Sequence, residues 1–166
     1  MKLIAAAALL AAQNPSPPVA CVPQQEVADL TITLLPAFID AAGPHCARHL
    51  GAGSFLASRE ARAMAERLRA EAGPRRESAA RGIRRIVGNE VPAGLSGTTM
   101  LSVLSEGMIG QAVSGLDEVK CRNADKIIRS AAPLPPANIG DLIAAIGALA
   151  FLDRPPSDGA PPICPA

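Results

Sequence analysis

The sequence predicts an all-α fold, an irregular bundle of five or six short helices with Pro-rich terminal arms, stapled by disulfides. Three observations carry that expectation. Apolar residues recur at helical spacing through most of the chain. Ser, Thr, Asn, Asp or Pro stands in front of these segments and Gly stands behind several of them. No stretch alternates apolar and polar residues with the period of two that a half-buried strand requires. At 166 residues the chain has the length for one domain with its own core.

The first segment is read as a signal peptide, not as part of the bundle. Lys2 supplies a positive start, Leu3 to Ala12 is unbroken apolar sequence, and Gln13-Asn14-Pro15 ends it. Such a run suits a secretory signal and falls short of the about 20 residues that span a bilayer. Residues 1–20 are therefore assigned to the signal and the start of a Pro-rich arm, with cleavage between 12 and 20. A lipid anchor on Cys21 is not expected, because Pro18 stands where a lipobox wants a Leu-like residue and the apolar run ends well before it. No second membrane segment is expected either. Residues 97–116 carry Glu106 and Gln111, and residues 139–152 are too few. Richness in Ala, Arg, Gly and Pro, with the short signal, points to a bacterial periplasm and not to an integral membrane protein.

Residues 21–154 form the expected helical domain and 155–166 a Pro-rich tail. Pro23 suits a helix start, followed by Val27, Leu30, Leu34, Phe38 and Ala41 at helical spacing. Pro36 is expected to kink or split this helix near Leu35 and Gly43 to stop it, with a short turn through His45, Cys46 and His49. Ser58 caps the next helix, whose inward face is Ala61, Met64, Ala65, Leu68 and Ala72. A third runs from about Arg75 to Val87, with Ala79, Ile83 and Ile86 inward and Gly88 as its C-cap.

Thr98 or Thr99 opens the most apolar helix, with Leu101, Leu104, Met108, Ala112 and Val113 inside and Gly107 and Gly110 open to a close neighbour. Ser114-Gly115-Leu116-Asp117 resembles a capping box and starts a helix through Ile127 and Ile128. Pro133, Pro135 and Pro136 force a loop. Asn138 is expected to cap the last helix, and its stripe of Ile139, Leu142, Ile143, Ile146, Leu149 and Ala150 is expected to face the core.

Four cysteines in an exported chain read as two disulfides. The short loop between the last two helices implies an antiparallel hairpin, which would return the tail toward Cys121. That argument pairs Cys121 with Cys164 and leaves Cys21 with Cys46, provided that the first helix breaks at Pro36 and folds back. A Cys46–Cys121 bond would overturn it.

Chemical motifs are sparse. The only two histidines lie in Pro44-His45-Cys46-Ala47-Arg48-His49, where a helix would put both imidazoles on one face. Against a metal site stand the demand for Cys46 in a disulfide, the lack of a nearby carboxylate and the charge of Arg48, so no metal or other cofactor is assigned. Gly94-Leu95-Ser96-Gly97 lacks the second Gly and the preceding strand of a nucleophile elbow. No pair of cysteines has redox CxxC spacing. Glu106 interrupts an apolar helix but falls opposite its stripe.

The arginines carry the strongest local bias. Arg62 and Arg67 have Glu66 and Glu71 one turn on. Arg75, Arg76, Arg81, Arg84 and Arg85 face only Glu77 in sequence, and form a candidate site for an anionic partner, an envelope lipid or an acidic protein surface. A formal net charge of +1 and the absence of Trp and Tyr argue against nucleic acid. The resulting expectation is a non-enzymatic binding or structural component of the cell envelope. Its rival is a small periplasmic enzyme using carboxylates or the His45-Cys46-His49 cluster, which a deep pocket lined by Glu106, a histidine or Asp125 would favour.

Overall fold

The computed structural model describes residues 21–51, 53–87, 97–152 and 161–164. The assigned signal segment, Gly88, Ser96 and much of the Pro-rich tail lie outside them. Among the described residues there are six α-helices: α1 (Gln24–Leu50), α2 (Arg59–Ala72), α3 (Arg76–Val87), α4 (Gly97–Ser114), α5 (Glu118–Ala131) and α6 (Pro136–Leu152). Single 3-10 turns at Phe55–Ala57 and Gly73–Arg75 join α1 to α2 and α2 to α3. The only backbone pairing of strand type among the described residues is an isolated parallel bridge between Val22 and Ile163.

α1 is the axis of the molecule, and the other five helices all pack on it. It runs unbroken through Pro36 and Pro44, so the split expected at Leu35 and the stop expected at Gly43 do not occur. A proline inside a helix removes one hydrogen bond and crowds the preceding turn. Here the helix is held from several sides, and Pro36 is itself buried in the contact. Gly43 serves another purpose: a Cβ there would stand 2.7 Å from the Leu56 carbonyl oxygen, so glycine lets the Phe55–Ala57 turn close onto α1. The helix ends at Gly51, whose φ of 75° suits glycine. α1 is also long and apolar enough, by length and composition, to cross a membrane. In this fold it is the shared core helix.

The straightness of α1 decides the disulfides. Gln24 and Cys46 are separated along the axis by about 33 Å at 1.5 Å per residue, which keeps Cys21 from reaching Cys46. The bonds are Cys21–Cys164 and Cys46–Cys121, correcting both expected pairs, Cys121–Cys164 and Cys21–Cys46. The hairpin argument fails because α6 packs chiefly on α1, not on α5. The tail then returns to the start of α1, where the Val22 amide donates to the Pro162 carbonyl (2.8 Å) and the Cys164 amide to the Val22 carbonyl (2.9 Å).

The main core joins Ile32, Ile39, Ala42 and Cys46 of α1 to Leu56, to the face of α2, and to Val113, Cys121, Ile128 and Ile139. α2 buries Ala61, Met64, Ala65, Leu68 and Ala72, as its pattern predicts, and the Ser58 hydroxyl accepts from the Ala61 amide. α3 buries Ala79, Ala80, Gly82 and Ile83, while Ile86 is half-buried. In α4, Leu101 and Val113 are buried, but Met108 and Ala112 are exposed and nothing approaches Gly107 or Gly110 within 4 Å. The N-cap of α5 is Asp117, whose carboxylate accepts from the Lys120 amide at 2.8 Å.

Candidate functional site

α6 turns the opposite way from its expected orientation. Of the predicted stripe only Ile139 is buried. Leu142, Ile143, Ile146 and Leu149 are 47%, 38%, 53% and 66% exposed, and Ala150 is exposed as well. The residues facing α1 are small: Gly140, Ala144 and Ala148 are buried. A Cβ at Gly140 would lie 2.8 Å from the Ala28 carbonyl oxygen, so the small face lets two helix backbones approach closely. Bulkier residues on that face would hold the helices apart.

The exposed face continues into a groove of about 270 Å³ between α1, α5 and α6. Leu35 and Phe38 form its α1 wall, Ile127 and Ile128 its α5 wall, and Ile139 and Ile143 its α6 wall. Ile127 is 60% exposed. The only charged residue within α6 is Asp141. The surface is therefore apolar and built on helices, and offers little to a charged ligand.

The arginine cluster is largely spent inside the fold. Glu26 and Asp29 lie one turn apart on α1, both buried. Arg81 and Arg85 donate to the two oxygens of Glu26 at 3.3 and 2.9 Å, and Arg75 donates to Asp29 at 2.8 Å. The premise that these arginines face only Glu77 is thus corrected. Arg76 and Arg84 are exposed, with no carboxylate partner among the described residues. The pairs expected within α2 also differ: Glu66 accepts from Arg69, Glu71 faces Arg75, and Arg67 donates to the Ala132 carbonyl. Arg69 additionally pairs with Asp40 of α1.

Glu106 is exposed. Asp125 is buried, but as a clasp between α5 and the Phe55–Ala57 turn: one oxygen accepts from the Ser54 hydroxyl (2.9 Å) and the Leu56 amide (3.0 Å), the other from Arg129 (3.1 Å). Burial pushes this carboxyl up, yet the Leu56 amide, the Ser54 hydroxyl and the Arg129 guanidinium together outweigh it and hold the pKa below the ordinary aspartate value. Such a group stays ionised at neutral pH and has no proton to give. A second cleft, of about 350 Å³, is lined by Ile39, Asp40, Gly43, Pro44, Leu56, Ala57 and Arg62. Neither it nor the apolar groove is lined by Glu106, Asp125 or a histidine.

One cluster of potential ligands does converge. His45 and His49 share the last turns of α1, with ring centroids 5.4 Å apart. The structure brings to them Cys121 of α5, and the ligating atoms of the three residues lie within 4.8 Å of one another. The sequence offered Cys46 as the companion thiol. The residue that joins the imidazoles is its disulfide partner, which no local signal could identify.

No family model matches the chain, and no curated protein or solved structure shows significant similarity to it, so the functional reading rests on these surfaces alone.

Proposed function

We propose that the protein is a non-enzymatic structural component of the bacterial envelope, exported to the periplasm, which assembles by docking the apolar face of α6 against a second copy of itself. The observation that carries this reading is the inversion of α6, with small residues inside and Leu142, Ile143, Ile146 and Leu149 outside. Monomers seldom leave a contiguous apolar patch of more than a few hundred Å². A standard interface takes about 800 Å² from each partner, and Ile127 and the groove extend this face beyond α6.

Spacing supports a helix as the occupant. Ile139, Leu142, Ile146 and Leu149 follow one another at three, four and three residues, the a/d alternation of a coiled coil with Ile at a and Leu at d. Ile139 belongs to the chain's own core, so Leu142, Ile146 and Leu149 form the seam offered outward. A second copy presents the same uncharged stripe. Two disulfides fit an oxidising compartment, which supports export.

Sedimentation equilibrium of the mature protein tests the reading. The wild type is expected to be a dimer at micromolar concentration, and Ile146→Glu a monomer with an unchanged helical spectrum. A monomeric wild type would refute it. Vesicle flotation distinguishes a membrane as the occupant: binding to neutral vesicles that Ile146→Glu abolishes would replace the second copy by lipid. Binding confined to anionic vesicles and lost in Arg76→Gln/Arg84→Gln would instead restore the arginine-based reading.

A further inference from the structure

The His45, His49 and Cys121 cluster lies at the carboxyl end of α1, away from the α6 face. In a tetrahedral zinc site with bonds of about 2.0 Å to nitrogen and about 2.3 Å to sulfur, neighbouring ligand atoms stand roughly 3.3–3.8 Å apart. The three ligating atoms here are already within 4.8 Å of one another, so side-chain rotation of about an ångström completes that geometry. His45 is half-buried, and its tautomer follows from its partners. Arg48 Nη2 contacts Nδ1 at 2.9 Å, and a guanidinium only donates, so Nδ1 carries the lone pair. Nε2 therefore carries the proton and donates to the Leu116 carbonyl at 2.8 Å. A ligand imidazole is set up in this way, with a backbone carbonyl fixing one nitrogen and Arg48 holding the lone pair of the other. Arg48 is exposed and can swing aside.

What closes the cluster is the covalent state of its sulfur. Cys121 and Cys46 are both fully buried and bonded to each other. A disulfide sulfur is neutral and a poor ligand, whereas a thiolate is a strong one for Zn(II) and Cu(I). We propose that His45, His49 and Cys121 form a redox-gated site for a thiophilic d10 ion, Zn(II) or Cu(I), which the Cys46–Cys121 disulfide shuts and its reduction opens. The reductant is a dithiol. It gives two electrons and two protons to the Cys46–Cys121 bond and becomes a disulfide itself, leaving two thiols. The ion then displaces the Cys121 thiol proton to solvent and binds one thiolate and two imidazoles, the fourth position being left to solvent. Burial of the bond makes this a slow switch, since a dithiol reaches the sulfurs only when the ends of α1 and α5 part.

The test uses the full mature chain, titrated with Zn(II) against a chromophoric chelator, and with Co(II) as a spectroscopic probe. Reduction is expected to tighten Zn(II) binding on the order of 1,000-fold, with one ion per chain, and to give a thiolate-to-Co(II) charge-transfer band. His45→Ala and His49→Ala should each cost at least about 100-fold in the reduced state, more than the usual loss of an outer-shell partner. Cys21→Ser/Cys164→Ser, which removes the other disulfide, should leave the gain intact. Cys46→Ser, with a free Cys121 and no reductant, should bind Zn(II) and show the band in air. The same titrations with Cu(I) under anaerobic conditions identify the preferred ion, and tighter His-dependent binding of either one supports the site. No gain on reduction, a gain that survives both histidine changes, or a gain lost with Cys21 and Cys164 would overturn it. If reduction melts the helices, Zn(II) should restore them through the coupling of binding to folding; failure to do so also overturns it.

Discussion

Replacing Gly140 by alanine tests which face of α6 lies inside. The added methyl would stand 2.8 Å from the Ala28 carbonyl oxygen and 3.0 Å from Ile32 Cδ1, one of them a backbone atom that moves only with its helix. Gly110 of α4 is the control, since the same change meets nothing within 4 Å. Both substitutions relieve the helix penalty of glycine, about 1 kcal/mol. Only Gly140→Ala also overpacks a helix contact, at a cost of about 1–3 kcal/mol. Gly110→Ala should therefore stabilise the chain by about 1 kcal/mol. Gly140→Ala should fall below that control by about 1–3 kcal/mol, or roughly 2–12 °C in Tm for a chain of this length. Thermal unfolding followed by circular dichroism in one buffer measures the difference. Equal stabilisation by the two changes would mean that no backbone covers Gly140. It would refute the inverted orientation of α6, and with it the docking face.

The crosslinks and the buried carboxylate give three further outcomes. Peptide mapping without reduction should find Cys21 joined to Cys164 and Cys46 to Cys121. Removing the second bond, which closes a separation of 75 residues, should cost about 2–5 kcal/mol in denaturant unfolding. Asp125 has a folded pKa below its ordinary value of 3.8, so its contribution is complete above that value and is lost as pH falls through the lower folded one. Asp125→Asn should be less stable than wild type by about 1–3 kcal/mol at pH 7, and the gap should close in acid below about pH 4. A gap that stays constant down to pH 2 would show that the carboxylate's charge contributes nothing.

What could be read in the sequence was what short range decides. Ser58 and the five apolar residues of α2 specify that helix by cap and stripe, and the structure buries the same five. Asp117 was within reach of the same argument. Pro36 obeyed a local rule that packing overrode, because a helix gripped from several sides can forgo a hydrogen bond. α6 was misread because it is apolar nearly all round, so its period says that it is a helix without saying which face is inside. The ridge of Gly140, Ala144 and Ala148, four residues apart, was the overlooked signal. The arginine partners were missed since Glu26 and Asp29 sit in another helix, although two acids one turn apart in an apolar segment invited the question. The approach of Cys121 to the histidines is purely topological and left no local trace.

The placement of α6 also argues for what the exposed face does. Full burial of a Leu or Ile side chain is worth about 1.5–3 kcal/mol, yet Leu142, Ile146 and Leu149 remain 47%, 53% and 66% exposed. Rotating the helix to bury them would drive their bulk against Ala28 and Ile32, where even one added carbon at Gly140 is too close. The contact therefore gains close approach of two backbones and forgoes apolar area. Two disulfides, each typically worth about 2–4 kcal/mol, offset a sacrifice of that size. One of them, Cys21–Cys164, ties the chain that follows α6 back to the start of α1, and Ile163 beside it reaches Gly147 of α6. The helix is thus pinned from both directions with its large residues outward. A chain stapled in this way keeps the seam presented when nothing is bound, which lowers the ordering cost of association. The second disulfide sits at the other end of α1, next to the histidines. Opening it for an ion therefore leaves the crosslink that holds the docking face in place.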